Sequence, residues 1–198
     1  LRQALATKVA TFTYIGDEVT SFQLKQSKVN VSLSNETILD TDLLVIAEGR
    51  NSTLAKSVAS DYFSRDYQQI AKTFLVEIAD IREDEAIQVF YEQEIFALMP
   101  YKNDSDTKLF SVGWSMPKEL AADLNQDNIA QHLEKFEKKI SCRMKVSSEL
   151  LSFPLSAHHL NEYCDHGVCV IADAAHSIHP LAGQGINLGI SDAMICLL

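Results

Sequence analysis

Residues 170–189 read VIADAAHSIHPLAGQGINLG, with one acid, two histidines, a proline and two glycines between two apolar runs. The first run reads as a buried strand and the second as the start of a helix. Asp173 falls at the carboxyl end of that strand, where open α/β sheets bind their ligands. A carboxylate there accepts hydroxyl hydrogen bonds of the kind a ribose offers. Downstream, Gly183, Gln184 and Gly185 open the helix expected over residues 186–198. Without β-carbons, a flat or charged ligand reaches the free N–H groups of the first turn, and the helix N-terminus stabilises negative charge on it. The spacing Gly183-x-Gly185-x-x-x-Gly189 is not the dinucleotide fingerprint GxGxxG, and no GxGxxG follows a strand anywhere in the sequence.

Other readings of the same residues are plainer. Asp173, His176 and His179 have the D-x-x-H-x-x-H spacing of a short metal-ligand triplet. The adjacent His158 and His159 point to opposite faces of a regular strand and read as an exposed pair. Glu48 serves as a turn acid and Ser52 as a helix cap without any cofactor. Arg50 suits either a cofactor phosphate or a solvated surface.

The elements that must position these residues follow from periodicity. The runs VATFTY, VTSFQL and VNVSL suggest a meander of hairpins leading into LLVIA, residues 43–47, which is apolar throughout and reads as a strand covered on both faces. After a turn at residues 48–51, STLAKSVAS is helix-compatible. Between residues 71 and 115, KTFLVEIAD, AIQVFYEQ, IFALMP and KLFSVGWSM alternate apolar and polar residues, as an antiparallel sheet with one covered face requires. Phe90, Phe96, Phe110 and Trp114 read there as core, with an aromatic pocket lining as the alternative. Ile129, Leu133, Phe136 and Ile140 form a helical stripe. The chain then returns through FPLSAHHL to GVCVIA, a second buried strand. Leu1 to Thr7 reads as helix without its own cap, and the final DAMICLL stops inside a helical pattern, so the sequence reads as a fragment.

Composition sets the outer bounds. Of 198 residues, 17 are Lys or Arg and 27 are Asp or Glu, a formal charge of −10, and no basic run interleaves with aromatics. Nucleic acid is therefore not an expected partner. No apolar stretch is long enough to span a bilayer and no signal peptide opens the sequence, so the expectation is a soluble cytoplasmic protein. Cys142, Cys164, Cys169 and Cys196 lack CxxC spacing and read as free buried thiols.

A resemblance extends this reading. Asp173-Ala174-Ala175-His176, His179-Pro180, Gly183-Gln184-Gly185 and Asn187-Leu188-Gly189 resemble the second flavin motif of the class A flavoprotein aromatic hydroxylases, most nearly the ubiquinone-biosynthesis hydroxylase branch. DLLVIAEGRNSTL, residues 42–54, resembles the Asp-Gly motif of the same family, and FALMP and FPL extend the likeness over most of the chain. The chain departs from the pattern in having Ala172 where glycine is usual and Glu48 where aspartate is usual. It also has Ala55 at the expected basic position, with Lys56 one place later.

The resemblance implies an α/β fold in which a partial FAD-binding Rossmann-like layer carries an inserted antiparallel-sheet substrate domain. Residues 1–60 and 161–198 would be FAD-binding and residues 61–160 substrate-binding. It implies FAD held by Asp173 and Glu48, Pro180 beside the isoalloxazine, and Gly183, Gln184, Gly185, Ile186 and Asn187 under the ring. The implied activity is an NAD(P)H-dependent aromatic monooxygenation. Reduced FAD would react with O₂ to a C4a-hydroperoxide that oxygenates a polyprenylated phenol or quinol of ubiquinone biosynthesis. Peripheral contact with the inner membrane or a biosynthetic complex would follow. A non-catalytic flavoprotein-like scaffold, a prenyl reductase and a halogenase are the alternatives on the same fold.

Overall fold

The computed structural model describes residues 16–59, 61–102, 107–179 and 183–196. The chain divides into two compact units, one drawn from residues 1–62, 160–176 and 186–198, the other from residues 63–159 and 177–185. The run VATFTY and the helix expected over Leu1 to Thr7 lie outside the described residues.

In the first unit, β1 (Val19–Leu24), β2 (Val29–Leu33) and β3 (Ile38–Thr41) form an antiparallel meander. Val29, Val31 and Leu33 alternate along β2 and are all buried, the period-two pattern of a strand with one face on the core. The next strand, β4 (Leu44–Ile46), leads into a short helix, α1 (Ala55–Val58).

The seven-stranded sheet belongs to the second unit. Its strands are β5 (Tyr62–Glu77), β6 (Ile87–Tyr91), β7 (Glu94–Tyr101), β8 (Leu109–Pro117), β9 (Lys145–Val146), β10 (Leu151–Leu160) and β13 (His176–Ser177). They run in the order β13-β10-β5-β8-β7-β6, with β9 beside β5. One face, including Phe74, Phe96, Phe110, Val112, Trp114 and Met116, is buried against α2 (Lys118–Asp123) and α3 (Ile129–Ile140). The predicted stripe of α3 delivers Ile129, Leu133 and Phe136 into that core. Phe136 stacks on Phe96 with ring centroids 4.3 Å apart, and Trp114 meets it edge-on at 5.2 Å. The core also holds a charge. Glu94, 4% exposed, accepts the Trp114 indole N–H at 2.8 Å and pairs with Lys135 of α3. Burying that carboxylate is tolerable because both of its oxygens are engaged. Trp114, Phe96 and Phe110 are thus core, whereas Phe90 is 67% exposed.

Back in the first unit, β11 (Cys164–Asp165) flanks β12 (Val168–Val170), and β12 runs parallel to β4, with Leu44, Val45 and Ile46 opposite Val168, Cys169 and Val170. A parallel pair needs a crossover, and here the second unit lies within it. The last helix, α4 (Gly185–Ile195), follows. This is the α/β architecture with an antiparallel insert that the sequence implies.

Two readings are corrected. Among the described residues of this chain LLVIA is covered on one face only: Ile46 is 2% exposed, but Leu43 and Val45 are 47% and 42% exposed. Aliphatic side chains on both faces hide the alternation that would have marked an open face. His158 and His159 are not an exposed pair either. His159 is exposed, but His158 is half-buried and its Nδ1 lies 2.9 Å from Ser177 Oγ.

Candidate functional site

The parallel pairing of β4 and β12 brings the two sequence motifs to the same sheet end. Ile46 pairs with Val170, and Ile171 N–H donates to the Ile46 carbonyl at 3.0 Å, so both chains leave the sheet side by side. Beyond β4 the chain turns at Gly49, whose φ of +84° is open to glycine at little cost. Glu48 is exposed, and its Oε2 accepts the Ser52 hydroxyl at 2.6 Å, while Ser52 Oγ accepts Ala55 N–H at 3.0 Å. The serine therefore ties the acidic turn to the first N–H of α1, that of Ala55.

Beyond β12, residues Ala172–Ala174 form a 3₁₀ turn with Asp173 exposed at its centre. Among the described residues the Asp173 carboxylate has no side-chain partner. Ala172 adopts φ +54°, the left-handed region where a β-carbon is disfavoured. Two features of α4 hold it there. Asp192 Oδ2 accepts Ala172 N–H at 2.8 Å and pairs with His176 Nε2 at 2.8 Å. A β-carbon on Gly189 would come 2.8 Å from Ala172 Cβ, so glycine at that position lets the helix lie on the turn. Gly189 and Asp192 are three residues apart and share a helix face. That spacing was available in the sequence, but its target, the N–H of Ala172, was not.

The glycine-rich segment that opens α4 is accessible. Gly183 (φ +61°), Gln184, Gly185, Ile186 and Asn187 are all exposed, and a β-carbon at Gly183 or Gly185 would meet nothing within 4 Å. Space for a flat ligand against their backbone is thus present, and the exposed carboxylate of Asp173 suits a polyhydroxyl chain. Each of these parts, taken by itself, fits a portion of a flavin nucleotide. Pro180 lies outside the described residues.

The histidines of the D-x-x-H-x-x-H triplet are engaged separately. His176 is paired to Asp192. His179 Nε2 lies 2.6 Å from Gln69 Oε1, and its ring meets Tyr67 edge-on at 4.9 Å. Burial holds the His179 imidazole below its ordinary value, so the ring is neutral near pH 7 and Nε2 donates to the amide oxygen. Its buried Nδ1 has no partner among the described residues. Gln69 and Tyr67 drew no attention in the sequence, since a lone Gln and Tyr on a long strand carry no signal.

In the second unit, the sheet face turned away from α3 borders an apolar cavity of about 420 Å³. Ala71, Ala97, Gly113, Met99 and Gly183 are among its lining. Small residues keep it open: a β-carbon at Gly113 would make ordinary contact, 3.8 Å from Met99 Cε. A larger groove of about 750 Å³ beside α3 is lined by charges that include two ion pairs, Lys145 with Glu77 at 3.0 Å and Arg143 with Glu137 at 3.3 Å.

The model of the FAD binding domain matches residues 1–197. The chain belongs to the FAD binding domain family. FAD is accordingly its cofactor. Human ubiquinone biosynthesis monooxygenase COQ6, mitochondrial, is 30% identical over 205 residues, covering 83% of this chain and 42% of that protein. Ubiquinone hydroxylase UbiL of Rhodospirillum rubrum is 26% identical over 206 residues, covering 98% of this chain and 46% of its own length. The chain therefore spans less than half the length of these relatives. Among solved structures, Klebsiella pneumoniae HpxO complexed with FAD and uric acid superposes with a TM-score of 0.73 at 20% identity, over 98% of this chain and 51% of that one. This likeness supports the fold.

Proposed function

We propose that the full-length protein is an FAD-dependent monooxygenase that hydroxylates an aromatic ring, with a polyprenylated phenol or quinol of ubiquinone biosynthesis as substrate and NAD(P)H and O₂ as co-substrates. One observation carries this reading: parallel β4 and β12 deliver Glu48 and Asp173 to one sheet end, with the exposed Asp173 held by the helix that glycines open. The substrate class rests on the ubiquinone-biosynthesis relatives and on the apolar cavity, whose lining suits a prenyl tail better than a charged metabolite.

In this reading residues 1–60 and 161–198 hold the cofactor and residues 61–160 form the substrate domain. When bound, FAD supplies O₂ activation and oxygen transfer, chemistry that no side chain provides. Asp173 accepts hydroxyl hydrogen bonds from the ribityl or ribose region. Gly183, Gln184, Gly185, Ile186 and Asn187 present backbone to the ring, and their N–H dipoles favour negative charge at its pyrimidine edge. The resemblance would put Pro180, which lies outside the described residues, beside the isoalloxazine. Glu48, oriented by Ser52, supports the sugar end. The small residues of the sheet face exclude water and leave room for the substrate ring. No helix among the described residues is long and apolar enough to cross a membrane. A prenylated substrate would be reached by peripheral contact with the inner membrane or within a biosynthetic complex.

The test is turnover of purified full-length protein with FAD, NAD(P)H and a prenylated phenol under ¹⁸O₂. One labelled oxygen in the ring product is the expected result. A colourless protein that takes up no FAD would point to a scaffold. Reduced prenyl double bonds without oxygen incorporation would point to a prenyl reductase.

A further inference from the structure

Three of the four cysteines, separated in sequence, converge in the first unit. Cys164 of β11 lies opposite Cys169 of β12. Cys169 Sγ is 3.1 Å from Sγ of Cys196, the residue that follows α4. All are free thiols, with Cys169 buried, Cys196 half-buried and Cys164 exposed. Their convergence joins a buried strand to the far end of the helix whose opposite end carries the glycine-rich segment.

We propose that Cys169 and Cys196 form a peroxide-sensitive dithiol that closes to a disulfide and pins α4 to β12. The thiolate of Cys196, the more accessible of the two, attacks one oxygen of hydrogen peroxide. A sulfur–oxygen bond forms, the oxygen–oxygen bond breaks, and the departing hydroxide leaves as water with the proton that the thiol gave up. Cys169 sulfur then attacks Cys196 sulfur. The sulfur–sulfur bond forms, the sulfur–oxygen bond breaks, and the hydroxyl leaves as a second water with the Cys169 proton. The sulfur pair loses two electrons and one peroxide becomes two waters.

Geometry selects the pair. The two sulfurs already lie 3.1 Å apart and must approach by about 1 Å to reach a bond of about 2.05 Å. Cys164 is a poorer partner. Val170 N–H donates to the Tyr163 carbonyl at 2.7 Å, which makes Tyr163 and Val170 a hydrogen-bonded pair and Cys164 and Cys169 a non-hydrogen-bonded one. Such pairs hold their Cα atoms about 4.5 Å apart, at the compressed edge of disulfide geometry. Burial, followed by the neighbouring thiols of Cys164 and Cys196, pushes the Cys169 thiol up, which makes it the resolving rather than the attacking sulfur. Cys142, buried in the second unit and pushed up to about 11 mainly by burial, is an internal control. The chemistry requires no flavin.

The experiment titrates full-length protein with hydrogen peroxide, blocks remaining thiols with N-ethylmaleimide and maps peptides by mass spectrometry. The expected product is a Cys169–Cys196 cross-linked peptide that dithiothreitol reverses. It persists in Cys164→Ser, is lost in Cys196→Ser, and leaves Cys142 alkylated. Because Cys169 is buried and its substitution risks misfolding, Cys196→Ser carries the decision. Full alkylation of Cys169 and Cys196 at peroxide levels that oxidise an unstructured cysteine peptide would overturn the proposal. A Cys164–Cys169 bridge in the wild-type protein would overturn it too.

Discussion

Ala172 and Gly189 divide one steric problem between them. Ala172 occupies φ +54° with its methyl group against the helix, and Gly189 makes room for it. Gly189→Ala should cost about 1–3 kcal/mol, the usual price of overpacking, because the new β-carbon would sit 2.8 Å from Ala172 Cβ. Ala172→Gly should stabilise by roughly 0.5 kcal/mol, since relief of left-handed strain slightly exceeds the added freedom of the unfolded chain. The double variant should recover most of the loss, because the clashing methyl is gone and alanine favours the helix by about 0.8–1 kcal/mol. Urea midpoints of the four proteins give this cycle directly. His179 makes a second prediction at this scale. Its folded-state value lies below the unfolded one of about 6.5, because burial disfavours the charged ring. Its contribution is therefore intact above that pH and declines as pH falls through the folded value. Thermal midpoints should drop between pH 7 and pH 5.5, and His179→Asn should flatten part of that drop.

The latch between α4 and the turn is the element-scale device. Asp192→Ala removes the acceptor of Ala172 N–H and the partner of His176 together. The expected loss is about 1–3 kcal/mol of stability, with weaker FAD retention because the turn carrying Asp173 loosens. A variant that loses stability but keeps FAD affinity would separate the latch from the cofactor. Little of this latch was legible in the sequence. The α3 stripe and the alternating strands of the large sheet were, because one buried face imposes a period on neighbouring residues. The two motifs were legible too, since each packs strand end, turn and helix start into a short run. The open face of β4 and the half-buried His158 were not. Burial of Leu43, Val45 and His158 depends on strand neighbours that are distant in the chain, and local pattern carries no record of them.

At the scale of the whole molecule, the chain carries a segment that resembles the family's second flavin motif and a seven-stranded sheet, but no GxGxxG sequence. A helix N-terminus and one or two carboxylates make only part of the contacts that a dinucleotide needs. The 198-residue chain alone should therefore take up FAD weakly or not at all in a spectrophotometric titration, whereas the full-length protein should be yellow. Tight stoichiometric binding by the shorter chain would show that the pyrophosphate needs no cradle outside it. The central claim is that the carboxylate at the end of β12 tethers the flavin nucleotide, and it is tested most directly by FAD affinity in full-length protein carrying Asp173→Ala. Loss of hydrogen bonds to a charged acceptor, worth about 1.5–3 kcal/mol, predicts affinity roughly 10- to 150-fold weaker by flavin fluorescence titration. An unchanged dissociation constant in a correctly folded variant would contradict it.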